Sequence, residues 1–278
     1  MVKRTGFELF FLLLLLLLPL SFGGCSTLIY MPRGYSEPKH LQLLDDPSVI
    51  KISYFLRNNE QTAFYIGPDK HPQRLWLLFG GINSLALDWH QWFVETAGED
   101  AAFLFVDYPG YGLNHGVPSA NLISEASVAA FGALKEFLQL PNEDQHPEVN
   151  ILGHSLGSGV AVHFASRIKV KKLLLVAPFT NLNELVIFRY GGFLGTLINA
   201  IYPEQYHNMK NLTSIAKQHP PPQIIIIHGA EDQVIPAAMS RRMVQMFPDI
   251  ITYHEIPLTG HRNMFADNLD LILQHMCD

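Results

Sequence analysis

Val149-Asn150-Ile151-Leu152-Gly153-His154-Ser155-Leu156-Gly157-Ser158-Gly159 decides the fold. Val149 to Leu152 reads as a short apolar strand, and Leu156 to Ile168 as a helix rich in small residues. Between them stands Gly153-His154-Ser155-Leu156-Gly157, a G-x-S-x-G sequence. Alone it is a weak signal, since chance places one in roughly a tenth of chains of this length. Strand, sharp turn and helix are the setting a nucleophile elbow requires. The glycines remove Cβ atoms that would collide with the neighbouring strand and helix. Ser158 and Gly159 keep the first helical turn slim, and the helix N-terminus brings partial positive charge to the serine.

A serine hydroxyl is a poor nucleophile near neutral pH and needs a base. An elbow predicts an acid and then a histidine further along the chain. Ile224 to Ile227 leads into His228-Gly229-Ala230-Glu231-Asp232, followed by Val234-Ile235-Pro236. Thr252 to Ile256 leads into Pro257-Leu258-Thr259-Gly260-His261. Asp232 is the expected acid, because an apolar-Pro segment starting a helix follows it directly; Glu231 is its competitor. His261 is the expected base. His154 reads as a structural part of the elbow and His228 as a strand-end residue with local hydrogen bonds. An acyl transfer also needs donors for the oxyanion. One is the N–H of Leu156, directly after the serine. The other should come from the loop after the early strand Leu75 to Phe79, in Gly80-Gly81-Ile82-Asn83-Ser84, with the Ile82 N–H as the candidate.

Outward from this core the chain alternates. Val49 to Phe55 and Thr62 to Ile66 read as a hairpin, and Ala101 to Asp107 as a strand running into Pro109-Gly110-Tyr111-Gly112. Ile123 to Leu138 reads as a helix stopped by Pro141. Strands are then expected at Lys172 to Ala177, Gln223 to Ile227 and Ile251 to Ile256, with helices at Ala237 to Phe247 and Asn263 to His275. Continuous apolar strands spaced by helices predict a mostly parallel α/β sheet buried on both faces. One such sheet runs from residue 49 to 278, so a single domain is expected. The interval of about 180–222 breaks the alternation and predicts a short helical insert, a candidate lid over a substrate pocket. Residues 25–48 read as a tether and lead-in.

These motifs together resemble the α/β-hydrolases over about residues 49 to 275. Within them the chain is similar to the BEM46-like and ABHD17-like branch, with its F-H-G-N, D-Y-x-G-Y-G, G-H-S-L-G, H-G-x-x-D and G-x-H motifs. Here these stand as Phe79-Gly80-Gly81-Ile82, Asp107-Tyr108-Pro109-Gly110-Tyr111-Gly112, Gly153 to Gly157, His228 to Asp232 and, without an intervening residue, Gly260-His261. The first motif departs, with Gly80 in place of histidine and Ile82 in place of asparagine. The resemblance implies a serine hydrolase of a carboxylic ester or thioester. It gives Asp107 a structural role in its turn. A peptidase, an acyltransferase or a non-catalytic binding lipoprotein on the same fold are the alternatives.

The N-terminus carries a different message. Lys3 and Arg4 precede an apolar run from Leu9 to Leu20, about a dozen residues that end near Phe22. A membrane span needs roughly 20, and the shorter run suits a signal peptide over residues 1–24. Leu20-Ser21-Phe22-Gly23-Gly24-Cys25 resembles the lipobox of bacterial lipoproteins, with Phe22 where that family has leucine. The resemblance implies lipidation at Cys25, a membrane attachment through the lipid, and, from Ser26, the outer membrane of a bacterial envelope. An ordinary secretory signal or an uncleaved anchor are the other readings.

The 278 residues include 48% hydrophobic and 16% charged side chains, which excludes a disordered chain. Nineteen Lys and Arg against 25 Asp and Glu give a formal charge of −6, against a nucleic-acid partner. Two cysteines cannot build a disulfide framework or a Cys-based zinc site. With no G-x-G-x-x-G after a strand, no P-loop and no H-E-x-x-H, no cofactor and no metal is expected. The expected partners are a small acyl substrate and a membrane.

Overall fold

The computed structural model describes residues 30–68, 72–94, 101–140, 147–201 and 206–277. The expected signal peptide and Cys25 lie outside the described residues. Eight strands form one sheet: β1 (Ile50–Leu56), β2 (Asn59–Ile66), β3 (Arg74–Phe79), β4 (Ala101–Val106), β5 (Glu148–His154), β6 (Lys172–Val176), β7 (Gln223–Gly229) and β8 (Ile251–Ile256). Their order is β1-β2-β4-β3-β5-β6-β7-β8. The β1–β2 and β2–β4 pairs are antiparallel, and every pair from β4 to β8 is parallel. The mostly parallel α/β sheet expected from the sequence is therefore the architecture of this chain.

The reason lies in the strand composition. Leu75, Leu77 and Phe79 of β3 enter one apolar layer, and Trp76 and Leu78 enter the other. The first layer packs beneath α3 (Ala120–Phe137) and α4 (Leu156–Ala165). The second lies against α2 (His90–Phe93) and α9 (Met264–Cys277). With both faces covered, nearly every strand residue must be apolar. Among the described residues no helix is long and apolar enough to cross a membrane.

The structure adjusts several boundaries. The β1–β2 hairpin closes through a two-residue turn, Arg57 and Asn58, both at positive φ (47° and 71°). That is the turn whose twist suits a tight hairpin, so β2 begins at Asn59 rather than Thr62. Helix α3 starts at Ala120 rather than Ile123, because the Ser119 hydroxyl caps it by accepting from the Leu122 N–H at 3.3 Å. The 180–222 interval holds α5 (Leu182–Tyr190), α6 (Gly192–Ile201) and α7 (Asn208–Ile215). Helix α8 (Ala237–Met246) joins β7 to β8.

The larger correction concerns the lead-in. Residues 30–48 are folded onto the domain and are not a tether. They form α1 (Pro38–Asp45), and Tyr30 and His40 are fully buried. Arg33 Nη2 and His40 Nε2 reach the Asp88 carboxylate at 2.5 and 2.8 Å. The Tyr35 hydroxyl donates to Asp107 at 2.5 Å. These polar contacts replace apolar periodicity as the force that orders the segment, so a hydrophobicity reading passes over it.

Candidate active site

β5 ends at His154 and α4 begins at Leu156, leaving Ser155 alone in the turn. Its backbone sits at φ 55°, ψ −120°, a conformation unusual for a residue with a Cβ. The Ser155 N–H bonds the Val176 carbonyl at 3.0 Å, and its carbonyl accepts from the Ser158 N–H at 3.0 Å and hydroxyl at 2.7 Å. Gly157 tolerates no side chain, since a Cβ there would stand 1.9 Å from the Phe79 carbonyl oxygen. The tight approach of β3 to the helix start is what lets the oxyanion loop pass the serine.

Asp232 and His261 come to Ser155 from different strands. Asp232 follows the end of β7, and His261 opens a 3-10 turn (His261–Asn263) after β8. His261 Nε2 lies 3.0 Å from Ser155 Oγ, and its Nδ1 lies 2.6 Å from Asp232 Oδ2. Asp232 Oδ1 accepts from the N–H groups of Val234 and Ile235, both at 2.8 Å. Burial pushes the Asp232 carboxyl up in pKa. The hydrogen bonds from His228, His261 and Ile235 outweigh it and hold the group well below the usual carboxylate range. The competing acid, Glu231, is exposed and uses its N–H to bond the Thr259 carbonyl at 3.1 Å.

Around this set, His228 is fully buried. Its Nε2 lies 2.9 Å from the Ile235 carbonyl, its Nδ1 2.6 Å from the Ser240 hydroxyl, and Nε2 is 3.3 Å from Asp232 Oδ2. A carbonyl can only accept, so Nε2 carries hydrogen and donates it, while Nδ1 shares a hydrogen bond with the Ser240 hydroxyl. His228 thus ties α8 to the acid. His154 packs edge-on against Trp89 and Phe265, with its ring centroid 5.1 Å from that of His261. Among the described residues neither of its ring nitrogens has a hydrogen-bond partner, and burial pushes its pKa down to about 3. It is a neutral packing residue.

The loop after β3 passes directly over the serine. A Cβ on Gly81 would lie 3.4 Å from Ser155 Cβ. The loop is fixed from both ends: the Tyr108 hydroxyl donates to the Gly80 carbonyl and the Tyr111 hydroxyl to the Ile82 carbonyl, each at 2.7 Å. The Gly81 N–H donates to Ser84 Oγ at 3.2 Å. The Ile82 N–H makes no intramolecular hydrogen bond among the described residues. The Leu156 N–H is a first-turn donor of the kind a helix leaves without an intrahelical acceptor. Gly80 explains the departure of this loop from its motif. A Cβ there would meet Ser84 Cβ at 2.8 Å and Trp89 Nε1 at 3.1 Å, so this packing leaves no room for histidine.

Tyr108 and Tyr111 were not singled out from the sequence as site residues, although both lie in the quoted Asp107–Gly112 turn. Asp107 holds that turn. Its Oδ1 accepts from the Ala86 N–H at 2.7 Å, its Oδ2 from Tyr35, and its own carbonyl from Asn114 Nδ2 at 2.8 Å. Burial pushes its pKa up to about 6, against the lowering effect of Tyr35 and Ala86. Tyr35 gave no local signal, since its partner is 72 residues away.

The chain is similar to several known proteins. An uncharacterized Mycobacterium tuberculosis protein, Rv2307c, is 30% identical over 171 residues, covering 61% of this chain and 56% of that protein. Lysophosphatidylserine lipase ABHD12 of Bos taurus is 29% identical over 152 residues, 49% of this chain and 35% of that one. The chain thus spans about half or less of the length of these relatives. Among solved structures, an α/β hydrolase from Vibrio vulnificus superposes with a TM-score of 0.70 at 18% identity, covering 90% of this chain and 91% of that one. The Pyrococcus furiosus esterase PF2001 gives a TM-score of 0.64 at 14% identity, covering 88% and 93%. Residues 70–221, more than half the chain, match the family described as serine aminopeptidase, S33, and the chain belongs to that family of α/β-hydrolases.

Proposed function

We propose that this hydrolase cleaves a carboxylic ester or thioester through an acyl-enzyme on Ser155. The observation that carries the reading is the continuous chain Ser155 Oγ, His261, Asp232, with spacings of 3.0 and 2.6 Å. His261 Nε2 takes the Ser155 proton as Oγ attacks the acyl carbon. The imidazolium that forms is stabilised by Asp232, whose depressed pKa keeps it ionised, and then protonates the leaving group. Water enters by the reverse route, giving up a proton to His261 as it attacks the acyl-enzyme. The N–H groups of Ile82 and Leu156 receive the oxyanion; losing one such donor typically costs about 3 kcal/mol of transition-state stabilisation. No step calls for a metal or cofactor. The D-Y-x-G-Y-G, G-H-S-L-G and H-G-x-x-D motifs at residues 107–112, 153–157 and 228–232 favour the BEM46-like and ABHD17-like branch, and the helices at 182–215 serve as the lid over the acyl chain.

The reading extends to the N-terminus. Residues 1–24 act as a lipoprotein-type signal, and Cys25 carries the lipid that holds the mature protein to a bacterial envelope membrane, the outer one favoured by Ser26. Loss of Lys3, Arg4 and Glu8 takes the formal charge from −6 to −7, so attachment depends on acyl chains and not on basic residues.

The family description supports a second reading, hydrolysis of an amino-terminal peptide bond. The test is turnover of p-nitrophenyl esters of two to sixteen carbons beside amino-acyl p-nitroanilides, with Ser155→Ala in parallel. The expected result is ester hydrolysis that falls at least a thousandfold in the variant. Turnover of the anilides alone would establish the peptidase. Undiminished ester turnover by Ser155→Ala would refute the acyl-enzyme.

A further inference from the structure

Two features share the edge of the sheet at which the parallel strands end, and the chemistry above uses neither. The first is the route by which the chain enters the domain. The Tyr111 hydroxyl, in the turn after β4, donates to the Ile82 carbonyl at 2.7 Å. The Arg33 carbonyl accepts from the Gly112 N–H at 2.9 Å. The entering chain is thus fastened to the turn whose Tyr111 holds the loop after β3. Cys25 stands five residues before Tyr30, and five residues at full extension span about 18 Å at most. A lipid on Cys25 therefore keeps the bilayer within about that distance of Tyr30, where the chain enters the domain.

The second feature is where apolar surface is left in water. The two most exposed large apolar side chains of the described residues are Phe193, at 89%, and Leu258, at 85%. Phe193 is on α6, in the insert that follows β6, and Leu258 is in the loop between β8 and His261. Met31, Val117, Phe188 and Leu197 are also exposed, and all lie on segments at this edge. Val117 belongs to the loop that leaves β4, and Phe188 and Leu197 belong to the insert. The opposite edge carries isolated cases such as Met246, at the end of α8. Scattered exposed apolar residues are ordinary; the two most exposed both lie on segments that leave the strand ends carrying the site, which marks that end as a candidate interaction surface.

We propose that this edge docks on a lipid bilayer, so that the Ser155 site opens into the membrane interface and takes its acyl chain from a membrane-resident ester. The inference rests on the Cys25 anchor and the serine-hydrolase reading, and deepens both. The anchor sets the occupant. A tether this short holds the apolar edge at high effective concentration against the bilayer it is anchored in. The acidic body offers no electrostatic attraction to anionic lipid, so contact falls to the apolar side chains. A soluble ester would need no such surface. An amphiphile in a bilayer reaches the serine only if the mouth of the site meets the interface.

The test uses the full lipidated chain in vesicles of phosphatidylcholine and phosphatidylethanolamine. In a Cys277→Ser background, Phe193→Cys and, separately, Met246→Cys carry a polarity-sensitive fluorophore. Docking predicts a blue shift and quenching by spin-labelled lipid for the probe at 193, and neither for the probe at 246. Fluorescence at 193 that stays water-like on vesicle-bound protein overturns the proposal. So does a shift that appears without vesicles and follows protein concentration, which would mean a second copy covers the face. Cys25→Ser separates the anchor from the docking: if the variant stays membrane-bound, the anchor reading fails while the probe at 193 still reports on the face. For function, Met31→Glu with Val117→Glu, two exposed side chains outside the insert, should lower kcat/KM at least tenfold on a vesicle-embedded ester and leave p-nitrophenyl acetate turnover unchanged. Equal loss on both substrates, or none on the embedded ester, counts against docking. Absence of ester turnover in the parent protein refutes the serine-hydrolase reading alone, because the probe experiment needs no catalysis.

Discussion

Ser155, Asp232 and His261 are far apart in the chain, yet each could be picked out because each sits in a short local pattern at a strand end. The residues that hold them in place were harder to read. His228 works through Ser240 and Ile235, and Tyr35 works through Asp107, and no local pattern joins either set. Two outcomes are expected at this scale. Gly157→Ala places a methyl group against the Phe79 carbonyl, where a Cβ has only 1.9 Å. It should prevent the native elbow from forming, read as loss of activity together with a lowered Tm. Asp107 makes the second. Its pKa is raised from 3.8 to about 6 in the folded protein, so the fold binds a proton that the unfolded chain has released. Stability from this group is present below pH 3.8 and is lost as pH rises to about 6. The shift corresponds to about 3 kcal/mol. Chemical denaturation from pH 4 to 7 should show that loss in the parent and not in Asp107→Asn; parallel curves would refute the assignment.

At the scale of elements, apolar runs carried the strands, because a sheet covered on both faces demands them. Polar signals set the ends and were read less well. The Ser119 cap moved α3 three residues earlier, and the paired positive-φ residues Arg57 and Asn58 lengthened β2. Helix α1 was missed because its segment is ordered by Asp88 and Asp107, which hydrophobic periodicity does not report. Ser119→Ala should cost about 1 kcal/mol. It should appear as a lower urea midpoint with an unchanged m-value, and kcat should hold. The insert helices α5 and α6 bury Leu182, Val186 and Ile198 while leaving Phe188 and Phe193 outside. A helix pair with apolar residues on both sides is consistent with a cover that has a second surface to meet.

For the whole molecule, the sheet order puts β5, which leads into Ser155, between β3 and β6, with the proposed acid and base following the two strands at one side. The alternation along the chain made this α/β class legible, whereas the packing of residues 30–48 against the site loops depends on contacts up to 72 residues apart. The anchor reading makes its prediction here. Cys25→Ser should move the mature protein from the membrane to the soluble fraction on cell fractionation, with ester turnover retained. Retention in the membrane would mean that another element holds it.

Strand order also has a consequence for synthesis. The chain is made from β1 onward, and Ser155 is complete with β5, but its acid arrives only after β7 and its base only after β8. On the proposed roles, a ribosome that stalls between residues 155 and 261 leaves Ser155 without its base. Truncated products are then chemically silent, and the proposed reaction becomes available only when the last strand has joined the sheet.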